Sequence, residues 1–89
     1  MNRFEIRLSR DAEKTFLTIR QSLPAIGRKI QKSLNSLETN PFIGSKLEGA
    51  DGEVRRIRIG DFRIVYEIYR DKVLILVVYI GPRGGAYRQ

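Results

Sequence analysis

The stretch VRRIRIGDFRIVYEIY, residues 54–69, limits the fold of this chain more than any other. Val54 to Ile59 and Phe62 to Tyr69 are rich in β-branched and aromatic residues and flank Gly60-Asp61. Glycine comes first in that pair, as a type II′ hairpin turn prefers. A two-residue turn allows one register, with Ile59 opposite Phe62 and Arg58 opposite Arg63. Opposite residues share a face and successive residues alternate. One face therefore collects Ile57, Ile59, Phe62, Ile64, Tyr66 and Ile68, and the other Arg56, Arg58, Arg63, Val65 and Glu67. The first is a core face, so the arginines turn away from the core. Directly opposed arginines repel by about 0.2–1 kcal/mol, and folding gains nothing from a third two residues along. Either the face is solvated, with long side chains snorkelling to water, or it grips a polyanion.

The rest of the chain supplies what the apolar face needs. Residues 3–8 alternate charged and apolar, the period of a strand with one buried side. Ser9 can cap a helix with Asp11 and Glu13 in its first turn and a stripe of Ala12, Phe16, Ile19 and Leu23. Pro24 opens a second helix with a stripe of Ile26, Ile30, Leu34 and Leu37, which Asn40-Pro41 stops. Residues 42–53 hold three glycines and no sustained period, so they read as a loop. A last strand runs from Val73 to Ile80 after a turn at Arg70-Asp71-Lys72, and a glycine-rich tail follows. The order is β-α-α-β-β-β: one α+β domain over residues 1–89, with a mainly antiparallel four-stranded sheet and a helical hairpin on one face. Alternation puts Leu74, Leu76, Val78 and Ile80 on the arginine side, either as core beneath a loop or as the floor of a groove that a protein partner covers.

Composition removes several chemistries. The 89 residues contain no cysteine and no histidine, which excludes a thiolate nucleophile, a catalytic imidazole and a Cys/His zinc site. No metal or cofactor is expected. A formal charge of +7 points to a polyanionic partner. The longest apolar run, Val73 to Ile80, is far short of the roughly 20 residues that cross a bilayer as a helix. The N-terminus interleaves charges with apolar residues, unlike a secretory signal. The expected location is the cytoplasm, with no membrane partner.

The element order, Asn40-Pro41, Lys46-Leu47-Glu48-Gly49, Arg56-Ile57-Arg58, the Phe62 to Glu67 segment, Ile80-Gly81-Pro82-Arg83 and Tyr87 together resemble the RelE/ParE toxin superfamily over nearly the whole chain. The hairpin block is the specific part of the likeness. Its RelE branch implies a toxin of a type II toxin-antitoxin system that cleaves messenger RNA in the ribosomal A site and is silenced by a cognate antitoxin. DNA would be met only indirectly, through the antitoxin. By the resemblance, Arg56, Arg58, Arg63, Arg83 and Tyr87 match the catalytic positions, and Lys46, Arg55 and Arg88 are expected to add RNA-binding charge.

Metal-independent cleavage uses the RNA's own 2′-hydroxyl to attack the adjacent phosphate. Arginine stabilises the resulting phosphorane well, because its fork matches two oxygens, but it is a poor base at neutral pH. The resemblance therefore implies that Arg56, Arg58 and Arg63 hold phosphate and transition-state charge. Arg83 serves the leaving group, and Tyr87 stacks on a base or assists attack. Arg56 and Tyr87 are both candidates for the base, each needing positive surroundings to loosen its proton. The chain departs from the pattern at Pro82, where many relatives carry a basic residue or histidine, and at Gly84-Gly85, which is expected to loosen Tyr87. Only Arg88 and Gln89 follow Tyr87, where some relatives continue into a helix. The superfamily also contains ParE-like inhibitors of DNA gyrase that act by binding alone, and a non-catalytic RNA-binding remnant is a third reading.

Overall fold

The computed structural model describes residues 3–47 and 52–82. Along the chain come β1 (Glu5–Leu8), α1 (Arg10–Ser22), α2 (Pro24–Leu37), β2 (Ser45–Lys46), β3 (Val54–Ile59), β4 (Phe62–Tyr69), a 3₁₀ turn (Arg70–Lys72) and β5 (Leu74–Pro82). They form a single sheet in the order β1-β5-β4-β3-β2, antiparallel throughout except that β1 runs parallel to β5. The α+β class is as expected, but the sheet has five strands rather than four. The extra one lies in the segment read as a loop, where Ser45 pairs with Arg56 and Lys46 with Arg55. Two residues are too few to show a period in sequence.

The helices start and stop for local reasons. Ser9 is extended (φ −61°, ψ 162°), and its Oγ accepts from the Ala12 backbone N–H at 3.1 Å, with Asp11 and Glu13 in the positive first turn. Leu23 joins the helices with non-helical dihedrals, and Pro24 follows at the first turn of α2. Leu23 was expected on the buried stripe but is 44% exposed, because the joint swings it off the helical face. Gly27 lets the helices close on each other: a Cβ there would sit 3.0 Å from the Arg20 Cα. Both apolar stripes pack on one side of the sheet. Phe16, Ile19, Ile30, Leu34 and Leu37 meet Ile64, Tyr66, Ile75 and Val77 in one buried cluster.

The hairpin follows the expected register, Ile59↔Phe62, Arg58↔Arg63 and Ile57↔Ile64. Gly60 has φ +58° and Asp61 does not share the positive sign, as a II′ turn requires. The β4–β5 connection falls on the three residues expected to turn. Arg70–Lys72 form a 3₁₀ turn that Val73 closes in the left-handed region (φ 50°), so the last strand covers Leu74–Pro82 rather than Val73–Ile80.

The face assignment of β5 also needs correction. Leu76 lies opposite Glu67 and Leu74 opposite Tyr69, which keeps Leu74 and Leu76 on the arginine side. Tyr66 then pairs with Val77 and Val65 with Tyr79, so Val78 has no opposite number. This β-bulge reverses the alternation. Ile80 pairs with Ile64 and enters the core at 2% exposure, while Tyr79 moves to the arginine face opposite Val65. The Ser9 hydroxyl, already the cap of α1, donates to the Val78 carbonyl at 3.4 Å. Among the described residues no helix is long and apolar enough to cross a membrane.

Candidate functional site

Arg56 and Arg58 on β3 and Arg63 on β4 share the sheet face opposite the helices. Arg58 faces Arg63 directly, Arg56 faces Val65, and Arg63 faces Gly81 on its other side. Val54 and Val65 are buried on this face outside the main core cluster, giving the guanidinium groups an apolar floor. Arg58 is exposed, and Arg56 and Arg63 are half-buried.

None of the three forms an ion pair among the described residues. Glu67 shares the face, but its carboxylate accepts from the Tyr69 hydroxyl at 2.6 Å. The Arg63 Nε is buried and has no hydrogen-bond partner among the described residues. A buried donor left unmade costs about 1–3 kcal/mol, and the Arg55 Nε on the opposite face is in the same state. The arrangement can hold a phosphate and stabilise negative charge growing on it.

Lys46 and Arg55 are not brought to this face. Arg55 lies opposite Tyr66, a core residue, and Lys46 lies opposite Arg55, so alternation turns both to the other side. The Arg55 guanidinium donates to the Gly44 carbonyl at 2.7 Å and lies 5.2 Å from the centre of the Phe42 ring. It braces the loop before β2. Tyr66 holds the same loop from below: its hydroxyl donates to the Pro41 carbonyl at 2.8 Å and accepts from the Gly44 N–H at 3.0 Å. Burial pushes the Tyr66 phenol above its ordinary pKa. Gly44 is required there, because a Cβ would come within 2.6 Å of the Arg56 carbonyl oxygen.

Arg70 also lies over the Phe42 ring, 4.8 Å from its centre, and pairs in bidentate fashion with Glu53 at 2.8 and 2.9 Å. That hydrogen bonding holds the Glu53 carboxyl below the usual carboxylate range and raises the Arg70 guanidinium. Arg83, Tyr87, Arg88 and the Glu48-Gly49 part of the quoted motif lie outside the described residues. Tyr79 was missed by sequence reasoning. It sits within an unbroken apolar run, where nothing marks the reversal that brings it to the arginine face.

A helical hairpin thus lies on one side of the sheet, and the other side carries three arginines without ion-pair partners among the described residues. The same fold recurs in solved toxins. RelE in the archaeal RelE-RelB complex from Pyrococcus horikoshii is 28% identical, with a TM-score of 0.75 over 93% of this chain and 98% of that one. The intact RelBE toxin-antitoxin complex of E. coli gives a TM-score of 0.77 over 96% and 99% of the two chains at 23% identity, a likeness of fold. A Methanocaldococcus jannaschii chain whose name assigns it as toxin RelE1 is 37% identical over 70 residues, covering 73% of this chain and 77% of its own length. The family profile of the ParE toxin of type II toxin-antitoxin systems matches residues 6–87. The chain belongs to that family, within the RelE/ParE superfamily of toxins.

Proposed function

We propose that this toxin is a metal-independent endoribonuclease that cuts messenger RNA on the ribosome and so inhibits translation. The observation that carries the reading is the Arg58–Arg63 pair with Arg56 beside it, on an apolar floor and without carboxylate partners among the described residues. A fold does not need this repulsion, whereas a phosphorane does. In the proposed reaction the 2′-hydroxyl loses its proton and attacks the neighbouring phosphorus. The P–O5′ bond breaks, and the departing oxygen takes up a proton, leaving a 2′,3′-cyclic phosphate and a 5′-hydroxyl. Arg56, Arg58 and Arg63 hold the phosphate oxygens. Arg83 is assigned to the leaving oxygen and Tyr87 to stacking or to assisting attack, with Arg88 adding RNA-binding charge. Lys46 and Arg55, on the other side of the sheet, are kept out of the reacting group.

The partner that silences the toxin is an antitoxin protein, as in the RelE-RelB and RelBE complexes of its structural relatives. The reaction belongs in the cytoplasm, where ribosomes and messages are. The experiment is cleavage of ribosome-bound message by purified protein, mapped by primer extension. Arg63→Gln should abolish cutting by about 100-fold or more while leaving the circular dichroism spectrum unchanged. Intact message with the wild-type protein would refute the reading. The matching family profile is that of ParE, which favours a second reading, inhibition of DNA gyrase by binding alone. Its signature is loss of supercoiling that survives substitution of Arg56, Arg58 and Arg63.

A further inference from the structure

Tyr79 has no part in the proposed reaction, yet the bulge at Val78 sets it among the arginines. Across β3, β4 and β5 their face is laid out in two rows, Arg56, Val65 and Tyr79 in one and Arg58, Arg63 and Gly81 in the next. The second row ends in a glycine, and the Tyr79 ring leans along the strand into the place of the missing side chain. A Cβ at 81 would be 2.8 Å from the Tyr79 hydroxyl oxygen and 3.0 Å from Cζ. The outer end of the ring therefore stands in the row of Arg58 and Arg63, one strand spacing of about 5 Å from the Arg63 backbone.

The ring is held at both ends. Its Cβ springs from the strand, and its hydroxyl donates to the Pro82 carbonyl at 2.9 Å. With that proton engaged, what Tyr79 offers a ligand is the ring itself, which is half-buried and so partly open to solvent. A side chain fixed in this way loses little conformational freedom when something is laid on it. Its neighbours supply charge but no flat surface: Val65 is fully buried, and Arg56, Arg58 and Arg63 are cationic grips. An unpaired nucleic-acid strand alternates anionic phosphates with flat bases, and proteins hold such strands with basic residues and aromatic platforms side by side. In a duplex the base faces are already stacked on one another, so the ring would have nothing to hold.

We propose that Tyr79 is a stacking platform for an unpaired base next to the phosphate that Arg63 holds, which makes single-stranded RNA the class of ligand for this face. The inference rests on the ribonuclease reading only for its consequence in cleavage, and its test is direct binding, so the two fail separately. The probe is a short 2′-O-methyl oligoadenylate, which lacks the attacking hydroxyl, compared with an abasic strand of equal length. Tyr79→Leu should weaken oligoadenylate binding by about 5- to 150-fold, the range that one base stacked on an aromatic side chain contributes. Binding of the abasic strand should hold within about twofold. Tyr79→Phe keeps the ring and should stay within about threefold of wild type on both strands, whereas Arg63→Gln should weaken both alike.

A second readout needs no variant: in the wild-type protein the Tyr79 ring protons should move upfield on addition of oligoadenylate and stay in place with the abasic strand. A wild-type protein without preference for oligoadenylate over the abasic strand, ring protons indifferent to both, or an equal loss of both strands in Tyr79→Leu overturns the proposal. So does oligoadenylate binding unchanged in Tyr79→Leu, the result expected if a protein partner covers the ring instead. If ribosome-bound message stays whole while oligoadenylate binding depends on the ring, the ribonuclease reading falls and the platform stands.

Discussion

Arg58→Gln should make the protein more stable and less active, two effects of opposite sign from one substitution. Ile59 and Phe62 close a two-residue turn, so they are a hydrogen-bonded pair, and alternation makes Arg58↔Arg63 the non-hydrogen-bonded kind. In such pairs the Cα atoms approach to about 4.5 Å and the side chains are at their closest. Like charges so placed cost about 0.2–1 kcal/mol. Arg58 is exposed, and glutamine keeps much of its aliphatic stem, so little packing is lost in exchange. For a domain of this size the relief corresponds to a rise in Tm of roughly 1–8 °C. The gain should shrink as salt is raised from 0.1 to 1 M, where the Debye length falls from about 10 to about 3 Å. Cleavage of ribosome-bound message should fall about 100-fold, as when one donor to a developing negative charge is removed. Thermal unfolding at the two salt concentrations and primer extension are the assays. A Tm at low salt that stays level or falls, or a gain indifferent to salt, would refute the claim that these arginines face each other at a cost to the fold.

Tyr66→Phe should destabilise the protein by about 1–3 kcal/mol in chemical denaturation, since it orphans the Gly44 N–H and the Pro41 carbonyl in a buried site. The Glu53 carboxyl is held below its unfolded value by Arg70, so its stabilising effect is present above about pH 4.3 and is lost as pH falls through the lower folded value. Glu53→Gln should therefore be less stable than wild type at neutral pH and converge with it in acid, as denaturation midpoints measured against pH would show.

The parts legible in the sequence are those where polar residues mark the period. Arginines alternate with isoleucines through the hairpin, and Gly60-Asp61 pins the turn, so the facing of Arg58 and Arg63 follows from counting. The helices declare themselves through Ser9, Pro24 and their stripes. In Leu74 to Ile80 every residue is apolar, so a slip of one position changes no visible pattern, and the Val78 bulge passes unseen. The strand Ser45–Lys46 is set by pairing with Arg55 and Arg56, a long-range contact that local propensity does not encode. Arg55 illustrates a different limit. Its charge suggested RNA, but its position beside Tyr66 turns it to the Phe42 loop, where it bonds a carbonyl.

Because β5 lies between β1 and β4, the sheet acquires the strand that joins β1 to the rest only when residues 74–82 have been made. Until then a nascent chain has a helical hairpin with much of its apolar stripe uncovered and an N-terminal strand with no neighbour to join. Ribosomes stalled before codon 74 would release fragments unable to assemble the arginine platform on a finished scaffold. A toxin of this topology thus completes its scaffold only with its last strand.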